Sequence, residues 1–186
     1  DQTKKLTDDI RKIFKDKKYP ILIDQEGGRV DRLTNLIDSS NFTGEFFGEL
    51  YKKNIKKFNV YYKIFIKQTC YLLDKIGVNI NTVPVLDVRY KKSNNIIGNR
   101  SFGSSPKIVS KIGDYFINQF QKNNIATVIK HIPGHGLAEV DSHKSTPIVK
   151  SKLINLIKND FFTFKNKKSL FAMTAHIVYQ DIDKDF

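Results

Sequence analysis

The sequence predicts an α/β fold built on a parallel sheet, and three observations predict it. Short apolar segments alternate with longer stretches of helical periodicity. Each apolar segment runs straight into polar residues and a turn, as strands do beside a ligand site. That design recurs four times, and several strands delivering polar groups to one rim favour a (β/α)8 barrel over an open sheet.

The strand segments are "PILIDQEGG" from Pro20, "VNINTVPVLD" from Val78, "IATVIKHIPGHG" from Ile125 and "SLFAMTAHIV" from Ser169. Their ends present Asp24, Gln25 and Glu26, then Asp87, then Lys130 and His131, and finally His176. Between them lie the helices. Residues 2–17 carry Leu6, Ile10, Ile13 and Phe14 on one face, and residues 60–76 form a second periodic stretch. "SSPKIVSKIGDYFINQFQKN" starts with Ser105 as N-cap and Pro106 at the first helical position, with Ile108, Ile112, Tyr115, Phe116 and Phe120 inward. "SKLINLIKNDFFTF" repeats the pattern from a Ser151 cap, with Leu153, Leu156, Ile157, Phe161 and Phe164 apolar. "SNFTGEFFGEL" after Ser40 is poorly periodic and reads as a loop or short helix. An eight-stranded barrel usually takes about 250 residues. With only four clear strands, either the barrel is incomplete in this chain or the sheet is open.

Composition narrows the function. The chain has 186 residues, enough for one substantial core, and no run approaches the roughly 18 apolar residues of a membrane span. The net charge of +13 raises the possibility of a nucleic-acid partner, but only five of the 32 basic residues are arginine, and the lysines scatter along the chain. A solvated lysine-rich surface is the simpler reading, so no nucleic-acid partner is expected. Where lysine is the default cation, an arginine marks a need for a planar, forked donor. Cys70, the sole cysteine, sits in a periodic helix and reads as core. No P-loop, dinucleotide fingerprint or G-x-S-x-G elbow occurs.

Chemistry concentrates in "KHIPGHGLAEVDSH", which holds three of the four histidines. Lys130 and His131 end a strand, so their side chains should point to opposite sides unless the strand kinks. Asp141 and His143 are two apart, so in extended backbone they project to one side. An aspartate there accepts the Nδ1 proton and raises the basicity of Nε2, which makes His143 a candidate general acid/base. The His131-x-x-x-His135 spacing could instead ligate a metal, but that geometry belongs on a helix, and Pro133 with two glycines argues against one. "IDQEGGRVDR" pairs Asp24 with Arg29 and Arg32 across a glycine turn. It reads either as a clamp for a polyhydroxyl ligand or as a structural Asp24–Arg32 pair. "IIGNRSFG" holds Arg100 between two glycines.

In order and spacing, "IDQEGGRVDR", "PVLDV", "IGNRSFG", "KHIPGHGLAEVDSHKSTP" and "MTAHIVY" resemble the bacterial β-N-acetylglucosaminidases of glycoside hydrolase family 3. The resemblance covers nearly the whole chain. The Asp-Ser-His loop favours the N-acetylhexosaminidase branch over the β-glucosidase branch, which generally lacks it. It implies a (β/α)8 TIM-type barrel that releases terminal N-acetylglucosamine with retention, in the cytoplasm, from peptidoglycan-derived muropeptides. Asp24, Arg32, Arg100, Lys130 and His131 fall where the family binds the sugar, His143 on its acid/base and Asp141 on the paired aspartate. No cofactor or metal is implied, and a monomer is expected. The family's nucleophile, an aspartate in a later Ser-Asp-Asp-Leu-like segment, has no match before Phe186. Residues 1–186 are therefore expected to be one partial barrel domain, the middle of the barrel truncated at both ends, nearly inactive alone. The alternatives are a non-catalytic sugar-binding relative, another family 3 β-glycosidase, and a basic nucleic-acid-binding protein.

Overall fold

In the computed structural model, residues 2–91, 95–140 and 146–183 are described. Four parallel strands form one sheet: β1 (Leu22–Ile23), β2 (Ile80–Asn81), β3 (Ala126–Ile132) and β5 (Phe171–Thr174), side by side in that order. These are the four segments expected from sequence. Two further short strands, β4 (Ile148–Val149) and β6 (Val178–Tyr179), pair in parallel as a separate ribbon. The main sheet is α/β with helices outside it, and its four strands do not close into a barrel.

The helices are α1 (Gln2–Ile13), α2 (Gly44–Lys53), α3 (Ile55–Lys75), α4 (Pro106–Lys122) and α5 (Leu153–Lys158). Two of them, α2 and α3, begin at a side chain that satisfies a free backbone N–H group. Thr43 accepts from the Phe46 amide at 3.0 Å and Asn54 from the Lys57 amide at 2.9 Å. The Asn54 cap explains why α3 starts several residues before the expected Val60. Ser105 occupies the cap of α4 with Pro106 behind it, but its side chain makes no capping bond. At α5 the cap position is Lys152 rather than Ser151, and a turn of 3-10 helix (Phe161–Phe164) follows. The poorly periodic segment after Ser40 contains the well-formed α2.

The core lies between the sheet and α2, α3 and α4, built from Phe47, Phe58, Ile66, Leu73, Leu86, Val109, Ile112 and Phe120. Removing these side chains from water is the main stabilising term. Aromatic rings interlock there, with Phe47 against Phe65 and Phe116 at centroid distances of 5.3 Å. On α1 the expected inward face is not buried: Leu6, Ile13 and Phe14 are exposed, while Thr7 is buried and donates to the Ile76 carbonyl at 2.9 Å. On α5 only Leu156 is buried, and Leu153 and Ile157 face outward.

Candidate active site

A cleft of about 320 Å³ opens at the carboxyl ends of the strands, within the size range of small-molecule sites. Its walls include Asp24, Glu26, Arg32, Arg100, Lys130, His131 and His176. All five residues expected to hold a sugar therefore reach one cavity, although they span more than a hundred positions in sequence. Asp141 and His143 lie outside the described residues.

The first wall follows from strand alternation. Asp24 and Glu26, two apart after β1, turn to the cleft, while Gln25 turns away and is buried. Gln25 exchanges backbone bonds with the Asn81 side chain at 3.0 and 2.8 Å, and it receives the Arg32 amide at 2.7 Å. Arg32 is thereby held at the cleft mouth, and the ion pair of Asp24 is with Lys130, not with Arg32.

Lys130 is the centre of the arrangement. Its side chain is 2% exposed, and Nζ lies 2.8 Å from Asp24 and 2.6 Å from Glu26, with Thr82 at 3.1 Å. Arg100 meets Glu26 with both forks, at 2.8 and 2.7 Å. Two cations thus share one buried carboxylate. Burial opposes the Glu26 charge, but the Arg100 bonds and the Lys130 charge outweigh it and hold the carboxyl below its usual range. Asp24 is also held low: bonds from Lys130 and Thr82 overcome the cost of partial burial. Both carboxylates stay ionised at neutral pH, so the cleft floor offers acceptors and donors in alternation.

His131 reaches the cleft because the β3 ladder slips there. Lys130 pairs with Met173 but Ile132 with Thr174, so His131 is the residue left out of register. Such an irregularity re-aims a side chain. This slip is the exception under which Lys130 and His131 need not point to opposite sides, and both line the cavity. The Lys130–His131 and Ile132–Pro133 peptide bonds are cis.

Behind His131 stands Asp87, fully buried. Its Oδ2 lies 2.6 Å from His131 Nδ1, and its Oδ1 accepts the backbone amides of His131 at 3.3 Å and His135 at 2.7 Å. Desolvation disfavours its charge, yet the His131 ring and these N–H donors hold it below the ordinary carboxylate range. An ionised Asp87 makes Nδ1 the protonated nitrogen and leaves Nε2 for a ligand. Burial lowers the pKa of His135, against the pull of Asp87. The sequence marks Glu26 and Asp87 only as polar strand-end residues. Period-two alternation with Asp24 was the signal for Glu26; Asp87 carries no comparable local signal, since its partners lie over forty residues away.

Arg29 lines no part of this cleft. It donates to the carbonyls of Asn95 (2.6 Å), Ile96 and Ile97 (3.3 Å), tying down the loop whose Ile96 and Ile97 form one cleft wall. The histidine segment 133–136 is a turn, not a helix, and no group of three or more metal-ligating side chains occurs among the described residues.

A polyhydroxyl ligand suits such a floor, and the chain is similar to several known proteins. The beta-hexosaminidase of Haemophilus ducreyi is 34% identical over 176 residues, covering 88% of this chain and 47% of that protein. Beta-hexosaminidase A of Pseudoalteromonas piscicida is also 34% identical, over 168 residues, covering 88% of this chain and 27% of its own length. The structure of NagZ from Neisseria gonorrhoeae in complex with N-trifluoroacetyl-D-glucosamine matches with a TM-score of 0.88 at 27% identity, covering 98% of this chain and 54% of that one. The chain thus spans about half, or less, of the length of these relatives. Residues 1–185 match the glycosyl hydrolase family 3 N terminal domain, and the chain belongs to that family.

Proposed function

We propose that this chain forms part of the catalytic domain of a retaining β-N-acetylhexosaminidase, which releases terminal β-linked N-acetylglucosamine from peptidoglycan-derived muropeptides. The observation that carries the reading is the convergence of Asp24, Glu26, Arg100, Lys130 and His131 on one cleft at the strand ends. Paired hydroxyls of a sugar ring need forked donors and acceptors side by side. The Asp24–Lys130–Glu26–Arg100 chain supplies them, already oriented by its own ion pairs. The named hexosaminidase relatives and the NagZ complex with an amino-sugar ligand support the choice of substrate.

In this reading, Asp24, Arg32, Arg100, Lys130 and His131 grip the non-reducing sugar. His131, held by Asp87, accepts a hydroxyl proton at Nε2. His143, made more basic by Asp141, protonates the departing glycosidic oxygen and then activates water. A retaining reaction also needs a carboxylate nucleophile. This reading also places the protein in the cytoplasm.

The test is release of nitrophenol by the complete protein from its N-acetyl-β-glucosaminide and from its β-glucoside. The amino sugar should be strongly preferred, and His143→Ala should reduce kcat by about 10²–10⁴-fold, the range of general acid/base catalysis. Wild-type rates in that variant would remove His143 from the mechanism, and equal rates on both glycosides would remove the acetamido preference.

A further inference from the structure

One buried carboxylate takes no part in the cleft. Asp160, between α5 and the 3-10 turn, is 1% exposed and lies beneath the glycine-bearing turn 133–136. Gly134 (φ +141°) rests directly on it: a Cβ at that position would come within 2.7 Å of the Asp160 Cβ. On the other side of the turn, a Cβ at Gly136 would come within 1.9 Å of the Val88 carbonyl oxygen and 3.3 Å of the Tyr90 ring. The turn is therefore clamped between Asp160 and the segment following Asp87, which is why it needs two glycines. Tyr90 closes the clamp by donating to Asp160 Oδ2 at 2.8 Å, and Tyr179 of β6 donates to the Gly134 carbonyl. The remaining oxygen, Oδ1, has no hydrogen-bond partner among the described residues.

We propose that Asp160 is a positioning residue for the cleft histidines: protonation of its carboxyl shifts the 133–136 turn against Tyr90, and with it the grip of Asp87 on His131. The connection is short. The same Asp87 oxygen that accepts the His131 amide accepts the His135 amide, so a displaced turn moves both. Among the described residues, the titratable groups acting on Asp160 are Tyr90, Asp87 and Tyr179, and none of these is a cation. Burial, only partly offset by the Tyr90 bond and reinforced by the Asp87 charge, pushes its carboxyl up to about 6. It thus changes state inside the working range of most enzymes. The effect on sugar binding rests on the proposed function; the movement of the turn does not.

The experiment is a pH titration of the complete protein by amide NMR, with the KM for the N-acetylglucosaminide followed in parallel. The amides of Gly134, His135 and Gly136 should move with an inflection near pH 6. Asp160→Asn, which keeps the Tyr90 acceptor, should abolish that inflection, and Tyr90→Phe should move it to higher pH because a bond that favours the ionised form is lost. KM should follow the wild-type inflection and lose it in Asp160→Asn. Amides without an inflection near pH 6, or one that persists in Asp160→Asn, would overturn the proposal. Titrating amides with no glycosidase activity would uphold the clamp and reject the hexosaminidase reading. Titrating amides with a flat KM would overturn the link from turn to cleft.

Discussion

Lys130 shows how a single side chain can serve both fold and site. Buried between Asp24 and Glu26, it neutralises two carboxylates that would otherwise repel across the cleft floor. Lys130→Met keeps the length and removes the charge, leaving Glu26 buried with Arg100 alone. Breaking a buried pair costs about 3–5 kcal/mol, and urea unfolding near pH 7 should show a loss of that order. The pH dependence has a fixed sign. The folded carboxyls of Glu26 and Asp24 lie below their ordinary values of 4.5 and 3.8, so their stabilisation is present above that range and disappears as pH falls through the folded values. The deficit of Lys130→Met should therefore shrink in acid. Asp160 has the opposite sign: its folded carboxyl keeps its proton up to about 6 against 3.8 when unfolded. Its stabilisation is complete below the unfolded value and lost as pH rises through 6. Relative to wild type, Asp160→Asn should gain about 3 kcal/mol between about pH 3 and pH 8 by the same unfolding measurement.

At the scale of elements, α2 positions Arg100. Gly44 and Gly48 lie one turn apart and face the backbone of the segment that follows the 3-10 turn Gly98–Arg100. A Cβ on Gly44 would come within 2.1 Å of the Arg100 carbonyl oxygen, and one on Gly48 within 1.8 Å of that of Phe102. Backbone cannot yield as a side chain would, so Gly48→Ala should force the helix and the Arg100 loop apart. A loss of about 1–3 kcal/mol, the usual cost of overpacking, should appear in thermal unfolding, and KM should rise while kcat changes less if, as proposed, Arg100 binds the sugar rather than reacts. Glycine inside a helix weakens helical propensity, so Gly44 and Gly48 lower the helical signal of this segment in sequence. The strands were legible because polar residues end apolar runs, and α4 because Pro106 and its stripe agree. Asn54 hid in plain polar surroundings, so the true start of α3 did not show. β4 and β6, two residues each, exist through pairing with each other, which no local pattern records. In the site, Asp24, Arg100, Lys130 and His131 stood out by residue type and glycine context. The Asp87 and Asp160 contacts depend on packing between distant segments, and sequence spacing carries no trace of them.

For the molecule as a whole, the open sheet leaves β1 and β5 as its outer strands, with Leu22, Leu170 and Phe171 exposed along them. Leu6 and Ile13 on α1, Phe14 just after it, and Ile64 and Tyr71 on α3 add further uncovered apolar surface. Unpaired edges and apolar faces promote association, and a net charge of +13 opposes it by self-repulsion. The 186-residue chain should therefore self-associate, and more so as salt screens the charge. Light scattering across a salt series checks this: growth with added salt is expected, and a monodisperse monomer at all concentrations would show that the exposed faces are harmless. The fold as a whole serves to bring strand ends together, so that residues far apart in sequence share one floor. Whether that floor holds an amino sugar is open to direct measurement, by calorimetric titration of N-acetylglucosamine into the complete protein and its Arg100→Lys variant. Wild type should bind saturably and the variant at least about tenfold more weakly, since lysine lacks the guanidinium fork that holds Glu26; equal affinities, or heat from neither, would contradict sugar binding at this floor.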